Sequence, residues 1–312
     1  MINRKEFLFA KRNANLTNIR LEVNSDNHFC MVQVIKKNNQ LQDVLIDKRV
    51  GFVPTMGALH EGHMSLVEES AKRGLFTVVS IFVNPTQFNN KEDFELYPTH
   101  LERDVAMLEK TGCDIIYTPQ KDQIYPEDLV MEVYDHEFYP VDSVLEGKHR
   151  PGHFKGVAQV VHRLFEIVKP QYAFFGEKDY QQLAIIRLLC KKLSLPIEII
   201  GMPTIREKNG LAMSSRNERL SEAQKEKATL LYKSLCYAAE SFATKQPQEI
   251  KDSIEKHFSS DDEWELEYFE IVNPDTFETI DSNATKHARA LVAATLGKVR
   301  LIDNMKVTSH EV

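Results

Sequence analysis

Two histidines three residues apart, His60 and His63, sit in the stretch GFVPTMGALHEGHMSLV, just after Gly57 and just before an apolar pattern of helical spacing. If a helix begins near His60, both imidazoles lie on one face of its first turn. Unpaired backbone N–H groups and the positive end of the helix dipole favour an anion there. Gly57 lets a ligand approach the backbone, and Gly62 leaves the first turn uncluttered. The arrangement suits a phosphate with two imidazoles as added donors. Nucleotidyl transfer needs such a site, because negative charge moves onto phosphate oxygens as it proceeds. Structural or surface histidines are one alternative and a metal pair is another. The zinc-protease helix, however, spaces its histidines four apart with Glu after the first. Here the spacing is three, and no third ligand stands close in sequence.

Three further clusters carry usable chemistry. FFGEKDYQQL, Phe174 to Leu183, repeats the order of apolar strand, glycine turn and helix. It sets Lys178 on a first helical turn, where an exposed lysine opposes the helix dipole by about 0.3–1 kcal/mol and a bound anion reverses that preference. Asp179 either accepts from ribose hydroxyls or simply favours the helix start. GLAMSSRN, Gly210 to Asn217, is a loop by composition. Ser214 and Ser215 are hydroxyl donors and Arg216 offers a planar fork for phosphate oxygens, or the stretch is a polar turn. FVNPTQF, Phe82 to Phe88, leaves the most apolar strand at Pro85. The amides of Asn84 and Gln87 suit a small polar substrate, or they brace a tight loop.

The elements that must position these residues alternate. Strands are expected at Met31–Ile35, Val50–Pro54, Phe76–Val83, Asp114–Tyr117, Tyr172–Phe175 and Ile197–Ile200, and the β-branched run FTVVSIFV is typical of a strand buried on both faces. Helices are expected at Asn39–Lys48, His60–Lys72, Leu101–Lys110 with Gly112 as C-cap, Val157–Val168 and Lys178–Lys192. Such alternation implies an α/β fold, a Rossmann-like parallel sheet with helices on both faces. Ligands of such sheets bind at the carboxyl ends of the strands, where the clusters at 56–63 and 176–179 fall. After Pro203 the pattern changes. Ser221 to Gln224 is a capping box opening a long helix to about Ala243, and Pro247 begins another. Strands at Glu265–Val272, Ala290–Leu296 and Val299–Ile302 then follow without intervening helices. The domain reading is an N-terminal extension over 1–30, an α/β domain over 31–204 and a smaller α+β domain over 205–312. Residues 1–30 lack a clear period and read as a disordered extension, with Met31 as a possible true start.

Bulk properties narrow the class. Of 312 residues, 42% are hydrophobic and 27% charged, as in ordinary soluble proteins. The net charge of −7, without a long basic block, disfavours nucleic acid as a partner. Cys30, Cys113, Cys190 and Cys236 form no CxxC pair, which reads as reduced thiols in a cytoplasm. No apolar run is long enough to span a membrane.

Taken in order, PTMGALHEGH, FVNPTQF, GEKDYQQ and MSSRN resemble the pantothenate synthetase (pantoate–β-alanine ligase) family, as do RPGHFKGV at Arg150 to Val157 and RLIDN at Arg300 to Asn304. The likeness runs from about Met31 to the C-terminus. It implies a homodimeric enzyme with a nucleotidylyltransferase-type Rossmann domain and a smaller C-terminal domain over the site. The implied reaction joins pantoate to β-alanine through pantoyl adenylate, with ATP going to AMP and pyrophosphate. GALHEGH corresponds to the histidine signature of class I aminoacyl-tRNA synthetases, and MSSRN to their mobile loop. The implied ATP contacts are Met56, Gly57, Ala58, Leu59, His60, Glu61, Gly62, His63, Gly176, Glu177, Lys178, Asp179, Ile205, Met213, Ser214, Ser215 and Arg216, with His63 as proton donor. Gln87 and Gln182 fall at pantoate contacts, and Gln87 is shared with β-alanine. Two departures stand out: Thr99 follows Tyr97-Pro98 where many relatives have arginine, and Glu102-Arg103-Asp104 replaces a paired-aspartate pattern, so that only Asp104 matches a magnesium position. Magnesium is therefore expected mainly on the ATP phosphates, with no protein-held metal. A nucleotidylyltransferase making a dinucleotide or a CDP-alcohol, and a nucleotide-binding regulator without catalysis, are the rival readings.

Overall fold

The computed structural model describes residues 32–308 except 90, 131–133, 135 and 136. The expectations for residues 1–30 and for Met31 lie outside the described residues. In chain order the elements are β1 (Gln33–Ile35), α1 (Asn38–Leu45), β2 (Val50–Thr55), α2 (Glu61–Lys72), β3 (Phe76–Ile81), α3 (Lys91–Glu95), α4 (Leu101–Leu108), β4 (Ile115–Tyr117), α5 (Lys121–Ile124), α6 (Glu146–His149), α7 (His153–Val168), β5 (Tyr172–Gly176), α8 (Tyr180–Lys192) and β6 (Glu198–Met202). They continue with α9 (Glu222–Ser241), α10 (Pro247–Phe258), β7 (Trp264–Val272), β8 (Ala288–Leu296) and β9 (Val299–Val307). Short 3₁₀ turns occupy Pro85–Gln87, Glu177–Asp179 and Ser215–Arg219.

The first six strands form one parallel sheet in the order β1-β4-β3-β2-β5-β6. Alternate residues of each strand feed opposite faces. Phe52, Val78, Ala173 and Phe175 pack with Val157, Val160, Val161 and Leu164 of α7. Val53, Val79, Ile116 and Phe174 pack with Met64, Leu66 and Val67 of α2 and with Val105 and Leu108 of α4. Burial on both sides is why these strands read as unbroken apolar runs. The chain builds outward from β2 through β3 to β4, then crosses to lay β5 on the other side of β2. Gly51 pairs with Tyr172 and Phe52 with Ala173. This reversal of strand order opens a crevice at the carboxyl ends of β2 and β5, and it brings loops more than a hundred residues apart in sequence side by side.

The second sheet, β7-β8-β9, is antiparallel. With α9 and α10 it encloses a separate core from Leu211 to Val307 that includes Leu235, Phe258, Phe269 and Val292. Tyr268, Val272, Phe277, Leu291 and Ala293 belong instead to the first core, so the two sheets share an apolar contact. The capping box at α9 forms as expected: Gln224 N donates to Ser221 Oγ at 3.2 Å and Ser221 N to Gln224 Oε1 at 3.0 Å. Strands β8 and β9 are longer than their apolar stretches alone suggest, since nine-residue antiparallel pairing runs through Arg289, Asn304 and Lys306.

Gly112 corrects one expectation. Helix α4 ends at Leu108, and Gly112 lies in the turn beyond it rather than at the cap. A Cβ there would stand 2.3 Å from the Cβ of Ala71 in α2. The glycine therefore serves close approach of a turn to a helix, not helix termination. Gly112→Val is expected to destabilise the fold by about 1–3 kcal/mol through overpacking, read as a lower urea midpoint at unchanged m-value. An unchanged midpoint would show that the contact relaxes freely.

Candidate active site

The turn after β2 is built around its own backbone. Gly57 has φ +83 and Ala58 φ +50, a left-handed pair that reverses the chain sharply at the end of the strand. The amides so exposed are taken by one buried carboxylate: Ala58 N donates to Asp104 Oδ2 at 2.9 Å and Leu59 N to Asp104 Oδ1 at 2.8 Å. Asp104, on α4, thus fixes the loop from beneath, and its match to a magnesium position is not what its geometry serves. Burial pushes its pKa up, against the pull of the two amides.

His60 is the N-cap of α2 rather than a residue of its first turn, and His63 is the third helical residue. Each ring caps the other's end of the turn. Gly62 N donates to His60 Nδ1 at 3.2 Å, and His60 N donates to His63 Nδ1 at 3.3 Å. The rings lie 4.1 Å apart between centroids. Two consequences follow. The helix start offers fewer bare N–H groups to an anion than the sequence suggested, because the rings and Asp104 take the amides of Ala58, Leu59, His60 and Gly62. Moreover, a nitrogen that accepts a backbone N–H carries a lone pair, so each neutral ring holds its proton on Nε2. Each ring is thereby left with one Nε2–H donor.

Burial, the His63 ring and the Lys178 ammonium push the His60 pKa down to about 3. Burial and Lys178 push His63 down to about 4. Both rings are neutral donors at neutral pH. Because the folded values lie below the unfolded value near 6.5, the unfolded chain takes up protons first as pH falls. Stability is then fully present above pH 6.5 and declines toward pH 4, by at most about 1.4 kcal/mol per pH unit for each ring. Urea midpoints measured from pH 7.5 to 5 are expected to fall for the wild type and to fall less steeply for His63→Gln. Equal slopes would contradict the buried neutral ring.

Lys178 follows β5 directly across the crevice. It sits in the 3₁₀ turn ahead of α8, not in the first turn of the α-helix. Its ammonium pairs loosely with Asp179 Oδ1 at 3.6 Å, and its side chain is 16% exposed. The cation is therefore held in the cleft by one long ion pair rather than by a tight one. Arg216 is differently placed. It donates to Asp93 Oδ2 at 2.7 Å, and Arg219 shares the same carboxylate at 3.1 Å. Asp93 lies on α3, in a stretch whose sequence gave no functional signal. Ser214 caps the 3₁₀ turn that carries Arg216. Ser215 Oγ donates to Ala58 O at 2.9 Å, pinning the segment onto the turn after β2. The stretch expected as a loose polar loop is thus a short helical turn packed in place, and the Ser215 hydroxyl proton is already committed.

On the third side, Asn84 is buried and structural. It accepts from Tyr125 Oη at 2.9 Å and donates to Gly156 O at 3.3 Å. Gln87 turns its amide toward Met56 Sδ at 3.0 Å. His153 and Arg150, both within the RPGHFKGV stretch, form a chain behind it. His153 Nδ1 donates to Gln87 O at 2.8 Å, and its Nε2 accepts from Arg150 at 3.1 Å. Burial and Arg150 push His153 down to about 3, so it braces as a neutral ring. Glu146 lies 3.5 Å from Arg150 and accepts both Arg300 nitrogens at 2.8 Å. Its burial would raise its pKa, but Arg300 holds it down at about 2.

These walls enclose a cavity of about 220 Å³ lined by Met56, His60, Gly62, His63, Gln87, Gly176, Lys178, Asp179, Gln182, Ile205, Met213, Ser214, Ser215 and Arg216. A second cavity of about 460 Å³ shares Arg150, Lys178, Asp179, Ser214 and Arg216 and extends toward Arg219, Lys298 and Arg300. Gly57, Ala58, Leu59, Glu61 and Glu177 line neither: Ala58 and Leu59 are buried beneath the turn, Glu61 points to solvent, and Glu177 pairs with Arg289 at 3.2 Å. Among the described residues no cluster of three or more His, Cys, Asp or Glu side chains could hold a metal ion. Cys113, Cys190 and Cys236 are free thiols. No helix among the described residues is long and apolar enough to cross a membrane.

A cleft of this geometry suits several nucleotide chemistries, and comparison with known proteins separates them. The family model described as pantoate-beta-alanine ligase matches residues 31–306. The chain belongs to the pantoate–β-alanine ligase family. The pantothenate synthetase of Flavobacterium psychrophilum is 46% identical over 269 residues, covering 86% of this chain and 94% of the relative. The crystal structure of the Thermus thermophilus pantoate–β-alanine ligase superposes with a TM-score of 0.82 at 42% identity, covering 88% of this chain and 99% of that one. That of the Francisella tularensis ligase, complexed with β-γ ATP and β-alanine, gives 0.71 at 35% identity, covering 87% and 96%. The ligase family accounts for the ordered motifs and for both sheets, leaving neither rival reading with a feature of its own.

Proposed function

We infer that the chain joins pantoate to β-alanine at the expense of ATP, forming an amide bond and releasing AMP and pyrophosphate, and that it does so through pantoyl adenylate held in this cleft. The observation that carries the reading is the convergence of His60, His63, Lys178 and Arg216 on one crevice with Gln87 and Gln182.

In the first step a pantoate carboxylate oxygen attacks the α-phosphorus of ATP, and the bond to the pyrophosphate oxygen breaks. Two anions must meet, so neutralisation comes first. Lys178 supplies an ammonium only loosely paired with Asp179, and Arg216 supplies a guanidinium once phosphate competes with Asp93 for it. The Nε2–H groups of His60 and His63 donate to phosphate oxygens as the leaving group gains charge, with His63 the nearer analogue of a proton donor. Gln87 and Gln182 hold pantoate as neutral amides, which avoids burying another charge. In the second step the free amine of β-alanine attacks the acyl carbon, AMP leaves, and the amine gives up a proton. Alignment of bound reactants contributes up to about 7–11 kcal/mol in favourable cases. No nucleophilic side chain enters, so the thiols have no part. ATP enters as its magnesium complex. Asp93 and Asp303 are committed to arginines, and no step is assigned to a protein-held metal.

We also take 31–204 as the nucleotide- and pantoate-binding unit and 205–312 as its cover, with the segment 210–217, pinned to Ala58 O through Ser215, lying closed over the intermediate, in a cytoplasmic homodimer. Pantoate-dependent exchange of pyrophosphate into ATP tests the first step. Exchange is expected only with pantoate present; exchange without it, or a product that retains the nucleotide, would sink the reading.

A further inference from the structure

We propose that Asn304, on the antiparallel sheet, is the positioning residue that sets the catalytic lysine, so that the C-terminal unit orients Lys178 as well as covering the site. The inference rests on the role given to Lys178 above and extends it to a residue with no assigned part.

Asn304 lies on β9, is 4% exposed, and reaches across to the 3₁₀ turn Glu177–Asp179. Its amide donates to two consecutive carbonyls, Glu177 O at 2.9 Å and Lys178 O at 2.8 Å. Its Oδ1 accepts from Arg289 of the neighbouring strand β8. Both N–H donors and the oxygen are thereby used, and of the side chains of this size only an amide offers that set. Arg289 reinforces the grip: it pairs with Glu177 Oε2 at 3.2 Å, and its guanidinium stacks 3.7 Å from the Tyr180 ring centroid. The backbone on either side of the Lys178 Cα is therefore anchored from the other sheet. An ammonium held only loosely by the adjacent Asp179, at 3.6 Å, depends on such anchoring for its place.

The preceding residue extends the coupling. Asp303 takes both terminal nitrogens of Arg206, at 2.6 and 3.0 Å, and its Oδ1 accepts Asn304 N at 2.7 Å. Arg206 also donates to Gly210 O at 3.1 Å, at the base of the segment that carries Ser214 to Arg216. The Asp303–Asn304 pair thus ties the Lys178 turn and the Arg216 segment to one point.

A double-mutant cycle tests the inference, with single-turnover pantoyl-adenylate formation as the readout. Asn304→Asp keeps the acceptor for Arg289 and removes both donations; Asn304→Ala removes all three contacts and guards against an effect of the added charge. Each is expected to slow adenylation about 10- to 100-fold in the otherwise native enzyme, the cost of a misplacement near 1 Å, through kcat rather than the KM for ATP. In a Lys178→Ala background each is expected to change the rate less than about threefold, because the group it positions is gone. Equal fold losses in both backgrounds, or no loss in the native one, would overturn the inference. An undiminished rate for Lys178→Ala alone would instead overturn the role of the lysine.

Discussion

Lys178→Ala is expected to slow pantoyl-adenylate formation by about 10²–10³-fold, the loss of about 2.7–4 kcal/mol seen when one preorganised charge-stabilising group is removed. It is expected to leave thermal unfolding nearly unchanged. The two halves of this expectation have one cause. The ammonium is mostly shielded, yet its nearest carboxylate oxygen is 3.6 Å away, so it contributes little to folding and is available to a phosphate. It lines the same cavity as both imidazoles, and after burial its charge adds to the lowering of their pKa values. Single-turnover rates with chemical quench decide the matter, and an undiminished rate would remove the lysine from the mechanism.

Asp104→Ala is expected to act in the opposite manner, through the fold first. Removing the carboxylate leaves Ala58 N and Leu59 N buried without an acceptor, at about 1–3 kcal/mol each. The turn carrying His60 would then lose its floor, so activity is expected to fall with stability. Asp104→Asn, which keeps one acceptor oxygen, is expected to lose about half as much. Urea unfolding and pyrophosphate exchange measured on the same samples provide the check. A variant with native stability and a raised magnesium requirement would show that Asp104 serves a metal after all.

The parallel sheet was legible because burial on both faces leaves unbroken β-branched runs such as Phe76 to Ile81, and the glycine turns after β2 and β5 marked where ligands gather. Strand order was not legible. That β5 lies beside β2 depends on pairing of residues far apart in the chain, and this is what places Lys178 opposite His63. The histidines were visible as a pair, but their tautomers were not, since these follow from which backbone amide each ring accepts. The residues that brace the site were the least readable part. Asp93, Asp104, His153 and Asn304 act through partners on other elements, and short-range spacing carries no trace of such contacts. Gly112 misled for a related reason: its neighbour, Ala71, belongs to a different helix.

The central claim, that the cleft activates a carboxylate by transferring AMP to it, is tested most directly by following oxygen. Pantoate labelled with ¹⁸O in its carboxylate, turned over with ATP and β-alanine, is expected to deliver one labelled oxygen to the phosphate of AMP, because the attacking oxygen stays on phosphorus when the amine displaces it. Unlabelled AMP, with the label in pyrophosphate, in inorganic phosphate or wholly retained in the amide and water, would contradict the claim.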